Sequence, residues 1–262
     1  MESLDEKIGF LANLIIKSEN ILALTGAGMS TESGIPDFRS PNTGLWTKYD
    51  PDEIASIDSY ISNASKNGVP KNLGFMLEMG KTIFTARPNS GHRALTKLQK
   101  LGKLTGVLTQ NIDRLHQKAK TKNVVELHGN VNEAICMSCR TVYPITTMIN
   151  QVLKEYTTPY CTECNGLLKP NAIFFGEALE SDVITKADAM IGDCDLLIIL
   201  GSSLLVYPAA FYPHKAYANG AKIAIINNEE TGMDNCAEVV IHDNIGTVFP
   251  KVIDIVEKSL KS

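Results

Sequence analysis

The sequence predicts an α/β protein: a doubly wound parallel sheet with a smaller lobe inserted into it. Three observations carry this expectation. First, short and almost purely apolar runs recur at 21–25, 104–109, 196–200, 223–226 and 239–241. Strands buried on both faces, as in a parallel sheet, read as continuous apolar runs and not as alternations. Second, stretches with helical periodicity lie between them, and such an alternation of strand and helix implies parallel pairing. Third, two regions break the alternation. Residues 41–87 are polar and helix-like, and residues 133–168 hold four of the six cysteines with little strand signal. The expected organisation is therefore a discontinuous sheet domain, 1–40, 88–132 and 169–262, with a small lobe made of the helical insertion 41–87 and the cysteine module 133–168. A length of 262 residues suits one large domain with a small satellite.

Taken in order, residues 4–17 form an amphipathic helix, with Leu4, Ile8, Leu11, Leu14 and Ile15 at helical spacing. The strand 21–25 follows, and Gly26-Ala27-Gly28 after it supply a tight turn where backbone can come close to a ligand. Amide N–H groups at such a strand-to-helix turn favour a pyrophosphate. Turn signals at Pro41, Gly44, Pro51, Gly68 and Pro70 punctuate the first insertion, and Phe75, Met76, Met79 and Ile83 share helical spacing within it. A helical pattern covers 91–101, then the strand 104–109. A strand-like run from Val124 ends at His128-Gly129. Helical spacing returns over 182–191, and a last amphipathic helix covers roughly 248–260 through Val252, Ile253, Val256 and Leu260. No internal repeat or low-complexity tract is present.

Bulk properties narrow the function. The chain is 44% apolar and 21% charged with a net charge of −4. It lacks the basic footprint of a nucleic-acid binder, so no direct nucleic-acid partner is expected. No apolar run approaches the ~18 residues of a membrane span, so no membrane partner is expected either. The acidic start, MESLDEKIGF, has no leader pattern, and a cytoplasmic location is expected. In that compartment paired cysteines point to metal before disulfide.

The cysteine pattern is specific. Cys136-x2-Cys139 and Cys161-x2-Cys164 can close a tetrahedral thiolate site around one zinc ion, as in a zinc ribbon. Four sulfur ligands leave no open position, so the metal is structural. Cys194 and Cys236 have no partner spacing and read as small buried hydrophobes. Gln110, Asn111 and Asp113 lie just past the strand 104–109, at the carboxyl end where open parallel sheets bind ligands. Taken alone, they read equally as helix caps. His92 and His116 sit in helix-like segments and look structural, whereas His128 ends a strand beside a glycine. Its near-neutral pKa makes histidine the usual general base.

Residues 25–40, TGAGMSTESGIPDFRS, resemble the nucleotide-binding loop of the sirtuins, the NAD-dependent protein deacylases. Further strings match in the family's order: TQNID at 109–113, HG at 128–129, FFGE at 174–177, GSSLLVYP at 201–208 and INNE at 226–229. Their order and spacing extend the resemblance over nearly the whole chain, about residues 8–255. The resemblance implies that the sheet domain is Rossmann-like, with NAD as co-substrate and one structural zinc. It implies a protein-lysine deacylase (deacetylase) that moves the acyl group from lysine to ADP-ribose and releases nicotinamide. An NAD-dependent protein ADP-ribosyltransferase is the alternative.

The same resemblance distributes roles. Gly26, Ala27 and Gly28 receive the pyrophosphate, and Arg39 contacts phosphate or ribose, with Asp37 and Gln110 also in the cofactor site. Ser30, Asn111 and Asp113 form the nicotinamide pocket, and Phe38 shields the ribose carbon once nicotinamide has left. Gly201, Ser202, Ser203, Asn227 and Glu229 hold the adenosine half. His128 is the catalytic base, with Asn111 as the second catalytic residue. Phe175, Gly176, Glu177, Leu205 and Val206 bind the acyl-lysine peptide, so the partners are acyl-lysine-bearing proteins; oligomeric state has no signature in these strings. Ser202 stands where Thr is more usual. Arg114 stands where the family often has Gly or Ser, a departure expected to affect only a helix surface. In the sirtuin branch that removes succinyl and malonyl groups, a Tyr and an Arg occupy the helix before Pro88, at positions corresponding to Met76 and Met79. Neither methionine can pair with a carboxylate, and burying that charge unpaired is costly, so neutral acyl groups are expected.

Overall fold

The computed structural model describes residues 3–42, 44–64, 71–155 and 158–261. Gly68 and Pro70 lie outside them. The described strands are β1 (Ile21–Thr25), β2 (Leu104–Thr109), β3 (Val124–Glu126), β4 (Gly129–Cys136), β5 (Val142–Pro144), β6 (Leu168–Ala172), β7 (Leu196–Leu200), β8 (Lys222–Ile226) and β9 (Val239–Ile241). The described helices are α1 (Leu4–Lys17), α2 (Pro51–Ile54), α3 (Ile57–Ala64), α4 (Lys71–Thr85), α5 (Ser90–Lys100), α6 (Leu115–Lys118), α7 (Ile145–Glu155), α8 (Ser181–Gly192), α9 (Phe211–Ala218) and α10 (Ile245–Lys261). They divide into two compact units, one of Met1–Ile35, Arg87–Leu127 and Glu180–Ser262, the other of Pro36–Ala86 and His128–Leu179.

The first unit is a six-stranded parallel sheet in the order β3-β2-β1-β7-β8-β9. Every residue of β1 and β7 is buried, which is why they read as unbroken apolar runs. Alternate side chains feed two cores. Ile21 and Ala23 pack with apolar residues of α1, α5 and α10, while Leu22 and Leu24 pack with those of α8 and α9. The helix starts are fixed locally. Ser3 and Glu6 close a capping box at α1, and Asn89 accepts the His92 amide at α5.

One row of the sheet matters for function. Thr25 pairs with Thr109 and with Leu200, and Leu200 pairs with Ile226. Gly26, Gln110, Gly201 and Asn227 therefore all leave the sheet at one carboxyl edge. The strand order reverses between β1 and β7, and such a switch point opens the crevice in which doubly wound sheets bind ligands.

The second unit carries a three-stranded antiparallel sheet, β5-β4-β6, which the sequence shows poorly. β4 carries Asn130, Asn132 and Glu133, and β5 is only three residues long, so neither makes an apolar run. Its core joins Ala134, Cys136 and Leu168 to Ile145, Met148 and Val152 of α7. Fully buried Tyr60 of α3 donates its hydroxyl to Leu168 O at 2.6 Å. Segments 36–40, 128–132 and 169–179, which the sequence pattern assigns to the sheet domain, group here: the last two carry β4 and β6 of this small sheet, and 36–40 accepts backbone bonds from Gly44, Leu45 and Trp46. Among the described residues no helix is long and apolar enough to cross a membrane.

Candidate active site

In the first unit two glycine loops interlock at the switch point. Gly26 and Gly28 donate their amides to Leu200 O (3.1 Å) and Gly201 O (2.9 Å). A Cβ on Gly26 would stand 2.6 Å from Gly201 O, and one on Gly28 would stand 2.8 Å from Gly201 Cα. The glycines are thus required by backbone-to-backbone approach, and both of their amides are taken up inside the protein.

Beside this turn three polar side chains close on one another. Ser30 Oγ donates to Asp113 Oδ2 at 2.6 Å, and Asn111 Nδ2 donates to Ser30 Oγ (3.1 Å) and Gly26 O (2.9 Å). Asp113 Oδ1 accepts the Leu115 amide at 2.8 Å. Ser30 and Asp113 are buried. Burial raises the Asp113 pKa, opposed by the bonds from Ser30 and Leu115. These bonds fix Asn111 with its amide nitrogen turned inward, so Oδ1 is the atom left to present as an acceptor.

A buried polar layer lies under Asn111. Its backbone N–H donates to Thr109 Oγ1 (3.1 Å), which also accepts from Thr25 Oγ1 (2.8 Å). Since the Thr25 proton points at Thr109, His116 Nε2, 2.9 Å from Thr25 Oγ1, must be the donor in that contact. His116 stacks obliquely on His92 with ring centroids 4.8 Å apart. Burial pulls His116 down to about 4; burial, then the neighbouring His116 and Arg93, pull His92 down to about 2. Both are neutral supports at physiological pH. Further along the edge, Gln110 Nε2 donates to Ser202 Oγ (2.9 Å), and Asn227 Nδ2 donates to Glu229 O (2.7 Å). Ser203 is partly buried and Glu229 exposed, and Leu205 and Val206 follow on the same loop as Ser202, with Leu205 63% exposed.

Arg114 departs from the sequence reading. It has φ +58, a left-handed conformation at the start of α6, with its Nε 3.5 Å from Glu126 Oε1. A Gly is the natural occupant of such a position, so the substitution bears on backbone strain and not only on a helix surface.

In the second unit, Asp37 organises its own loop. Its Oδ1 accepts the amides of Arg39 and Ser40, and its Oδ2 accepts the Ser40 hydroxyl. Leu45 and Trp46 amides return to Asp37 O and Phe38 O, both at 2.9 Å. Phe38 stacks on Trp46 at 5.0 Å, and Trp46 lies 6.3 Å from Phe175. Arg39 is exposed at the loop surface. Half-buried His128 is anchored through its carbonyl, which accepts from Ile173 N at 2.9 Å. Gly129 beside it has φ +69, and a Cβ there would stand 2.0 Å from Asn171 O. Phe175 is tied by backbone bonds to Ala55 and Ile57, and Gly176 turns at φ +90. The Glu177 carboxylate accepts the Phe174 amide at 2.8 Å. On α4, Met76 packs against the small-sheet core, and Met79 is half-buried.

The four cysteines converge. All four sulfurs lie within 4.8 Å of one another, with Cys136 to Cys164 at 3.5 Å and Cys139 to Cys161 at 3.6 Å. Four sulfurs tetrahedrally disposed at ~2.3 Å from zinc stand about 3.8 Å apart, so the cluster fits that ion. The amides of Ser138 and Cys139 point at Cys136 Sγ. A Cβ on Gly166 would stand 2.9 Å from the same sulfur, so the chain closes tightly around the cluster.

Sequence reasoning assigned no role to supporting residues in either unit: Thr25 and Thr109 in the first, Trp46 and Lys169 in the second. Their signals are single polar or aromatic residues in otherwise ordinary strands and loops, visible only once the strands are placed.

Comparison with known proteins gives consistent results. The model of the Sir2 family matches residues 26–208. A protein of Thermodesulfovibrio yellowstonii named NAD-dependent protein deacetylase is 41% identical over 256 residues, covering 97% of each chain. A solved structure described as Sir2 with a p53 peptide and NAD+ is 37% identical, with a TM-score of 0.83 over 97% of this chain and 98% of that one. Another, Sir2Tm bound to a propionylated peptide, is 36% identical, with a TM-score of 0.84 over 97% and 99%.

Proposed function

This chain belongs to the Sir2 family, and on that premise we propose that it is an NAD-dependent protein-lysine deacylase acting on acyl-lysine peptides. The observation that carries the reading is the Asn111–Ser30–Asp113 triangle beside the interlocked glycine turns at the switch point of the sheet. It is a fixed set of amide and hydroxyl groups where a doubly wound sheet takes a dinucleotide.

Bound NAD supplies a glycosidic bond whose cleavage leaves an electrophilic ribose carbon. The residues of the chain bind and orient. Ser30, Asn111 and Asp113 present hydrogen-bonding groups to the nicotinamide amide. Gly26, Ala27 and Gly28 receive the pyrophosphate: the close packing of the two glycines on Gly201 leaves only the Ala27 methyl as a side chain in the turn. Gly201, Ser202, Ser203, Asn227 and Glu229 address the adenosine half, Gln110 joins the cofactor site, and Arg39 brings a cation to phosphate or ribose. Phe38, its carbonyl bonded by the Trp46 amide and its ring backed by Trp46, supplies an apolar face that excludes water from the reacting carbon. His128, its backbone fixed by Ile173 and Gly129, takes a proton from a ribose hydroxyl as general base. Phe175, Gly176, Glu177, Leu205 and Val206 hold the peptide by strand addition. Cys136, Cys139, Cys161 and Cys164 hold one zinc that supports folding and leaves no position open for chemistry.

The experiment is NAD-dependent removal of acetyl from a lysine peptide by wild type and His128→Ala. The variant should lose about 10²-fold or more in turnover while still binding NAD. Near-normal turnover would refute the assignment of the base.

A further inference from the structure

We propose that Lys169 is a positioning residue for the acyl peptide, its buried ammonium clamping the turn 172–177 that the peptide pairs with. The inference rests on the deacylase reading above. Lys169 lies in β6 with only 2% of its surface exposed. Its Nζ donates to Ala172 O at 2.7 Å and Pro170 O at 3.2 Å, and stands 3.1 Å from Glu177 Oε2. It also sits 4.9 Å over the Phe174 ring. With acceptors at Ala172, Pro170 and Glu177, the ammonium directs its protons into the protein and works by holding.

What it holds is one continuous segment. The Glu177 oxygen it pairs with also accepts the Phe174 amide, so a single cation joins residues 170, 172, 174 and 177. Ile173, inside that segment, donates to the carbonyl of His128. Phe175, next along, is tied to Ala55 and Ile57. Gly176 is the pivot, at a φ of +90 that glycine adopts without restraint. An apolar side chain would fill an interior position at lower desolvation cost than a charge. The charge is therefore explained by the turn it fixes and not by core packing. Strand addition needs an edge that is already ordered, and disorder there is repaid out of binding affinity.

Losing the clamp should weaken peptide binding more than it slows chemistry. The test is steady-state kinetics of Lys169→Met, which keeps the volume and removes the charge. Wild type serves as the control for deacylation. The expected result is a peptide KM raised about tenfold, the range of coupling seen for contacting groups. The kcat at saturating peptide should stay within about threefold and the KM for NAD should not move. Glu177→Gln should raise peptide KM at least as far, because Glu177 also belongs to the peptide-binding segment, and the double variant should be clearly less than additive, because both break one link. Folded Lys169→Met with wild-type peptide KM, or a loss in kcat with both KM values unchanged, would overturn the proposal. If Lys169→Met does not fold, Glu177→Gln decides: an unchanged peptide KM overturns the clamp. A wild type without NAD-dependent deacylation sinks the deacylase reading itself, and the clamp with it.

Discussion

Gly201→Ala measures how much the glycine turns depend on backbone contact. Gly201 has φ +64, and an added Cβ would stand 2.4 Å from Met29 N, 2.5 Å from Gly28 C and 2.8 Å from Gly28 Cα. All three are backbone atoms of the facing turn, so no rotamer change relieves them. The left-handed conformation costs a non-glycine residue about 1–2 kcal/mol, and overpacking adds about 1–3 kcal/mol, for about 2–5 kcal/mol together. Gly34 supplies the control. Its φ is +83, yet nothing lies within 4 Å of its Cβ position, so Gly34→Ala pays only the conformational part. A reduced unfolded-state entropy offsets both substitutions by about 0.4–1 kcal/mol, so the overpacking alone, about 1–3 kcal/mol, separates them. In a chain of this size each kcal/mol is about 2–4 °C in Tm. Thermal denaturation should therefore show Gly201→Ala melting at least about 2 °C below Gly34→Ala. Calorimetric NAD titration should show binding weakened more than about tenfold for the first and unchanged for the second. Equal Tm losses, or normal NAD affinity in Gly201→Ala, would refute the reasoning that the two turns form the nucleotide seat by mutual contact.

Two further outcomes follow from other parts of the molecule. Elemental analysis should find about one zinc per chain, and Cys136→Ser or Cys161→Ser should lose soluble folded protein, since structural thiolate sites contribute folding free energy directly; a metal-free preparation with full activity would contradict this. Acyl choice should follow Met76 and Met79: kcat/KM should favour acetyl, butyryl and myristoyl peptides over the succinyl one, because neither side chain pairs with a buried carboxylate. A preference for succinyl would show that another cation, such as Arg87 or Lys81, serves that group.

The sheet was legible because its strands are buried on both faces. Runs such as Leu196–Leu200 have no polar residue to disguise them, and α1 begins and ends where its capping box and apolar spacing indicate. The small sheet was not legible, because β4 carries half-buried Asn132 and Glu133 and takes its apolar contacts from Cys136 and Ala134, which carry weak strand signals. Motifs located the candidate residues but not what each side chain touches. Asp37 and Glu177 sit in ligand-binding strings, yet their carboxylates accept backbone amides of their own loops. Arg114 reads as a surface change, yet its φ of +58 is a property of the chain path that residue spacing does not reveal. Lys169 looks like an ordinary strand lysine until β6 is placed against the turn after it.

The central claim is that the acyl group leaves lysine for ADP-ribose. The direct measurement is mass spectrometry of peptide and small-molecule products after wild-type protein meets NAD and one acetyl-lysine peptide. The account predicts a peptide lighter by its acetyl group, with nicotinamide and O-acetyl-ADP-ribose formed in equal amounts to the freed lysine. A peptide that keeps its acetyl group and gains ADP-ribose would contradict it and establish ADP-ribosyl transfer instead.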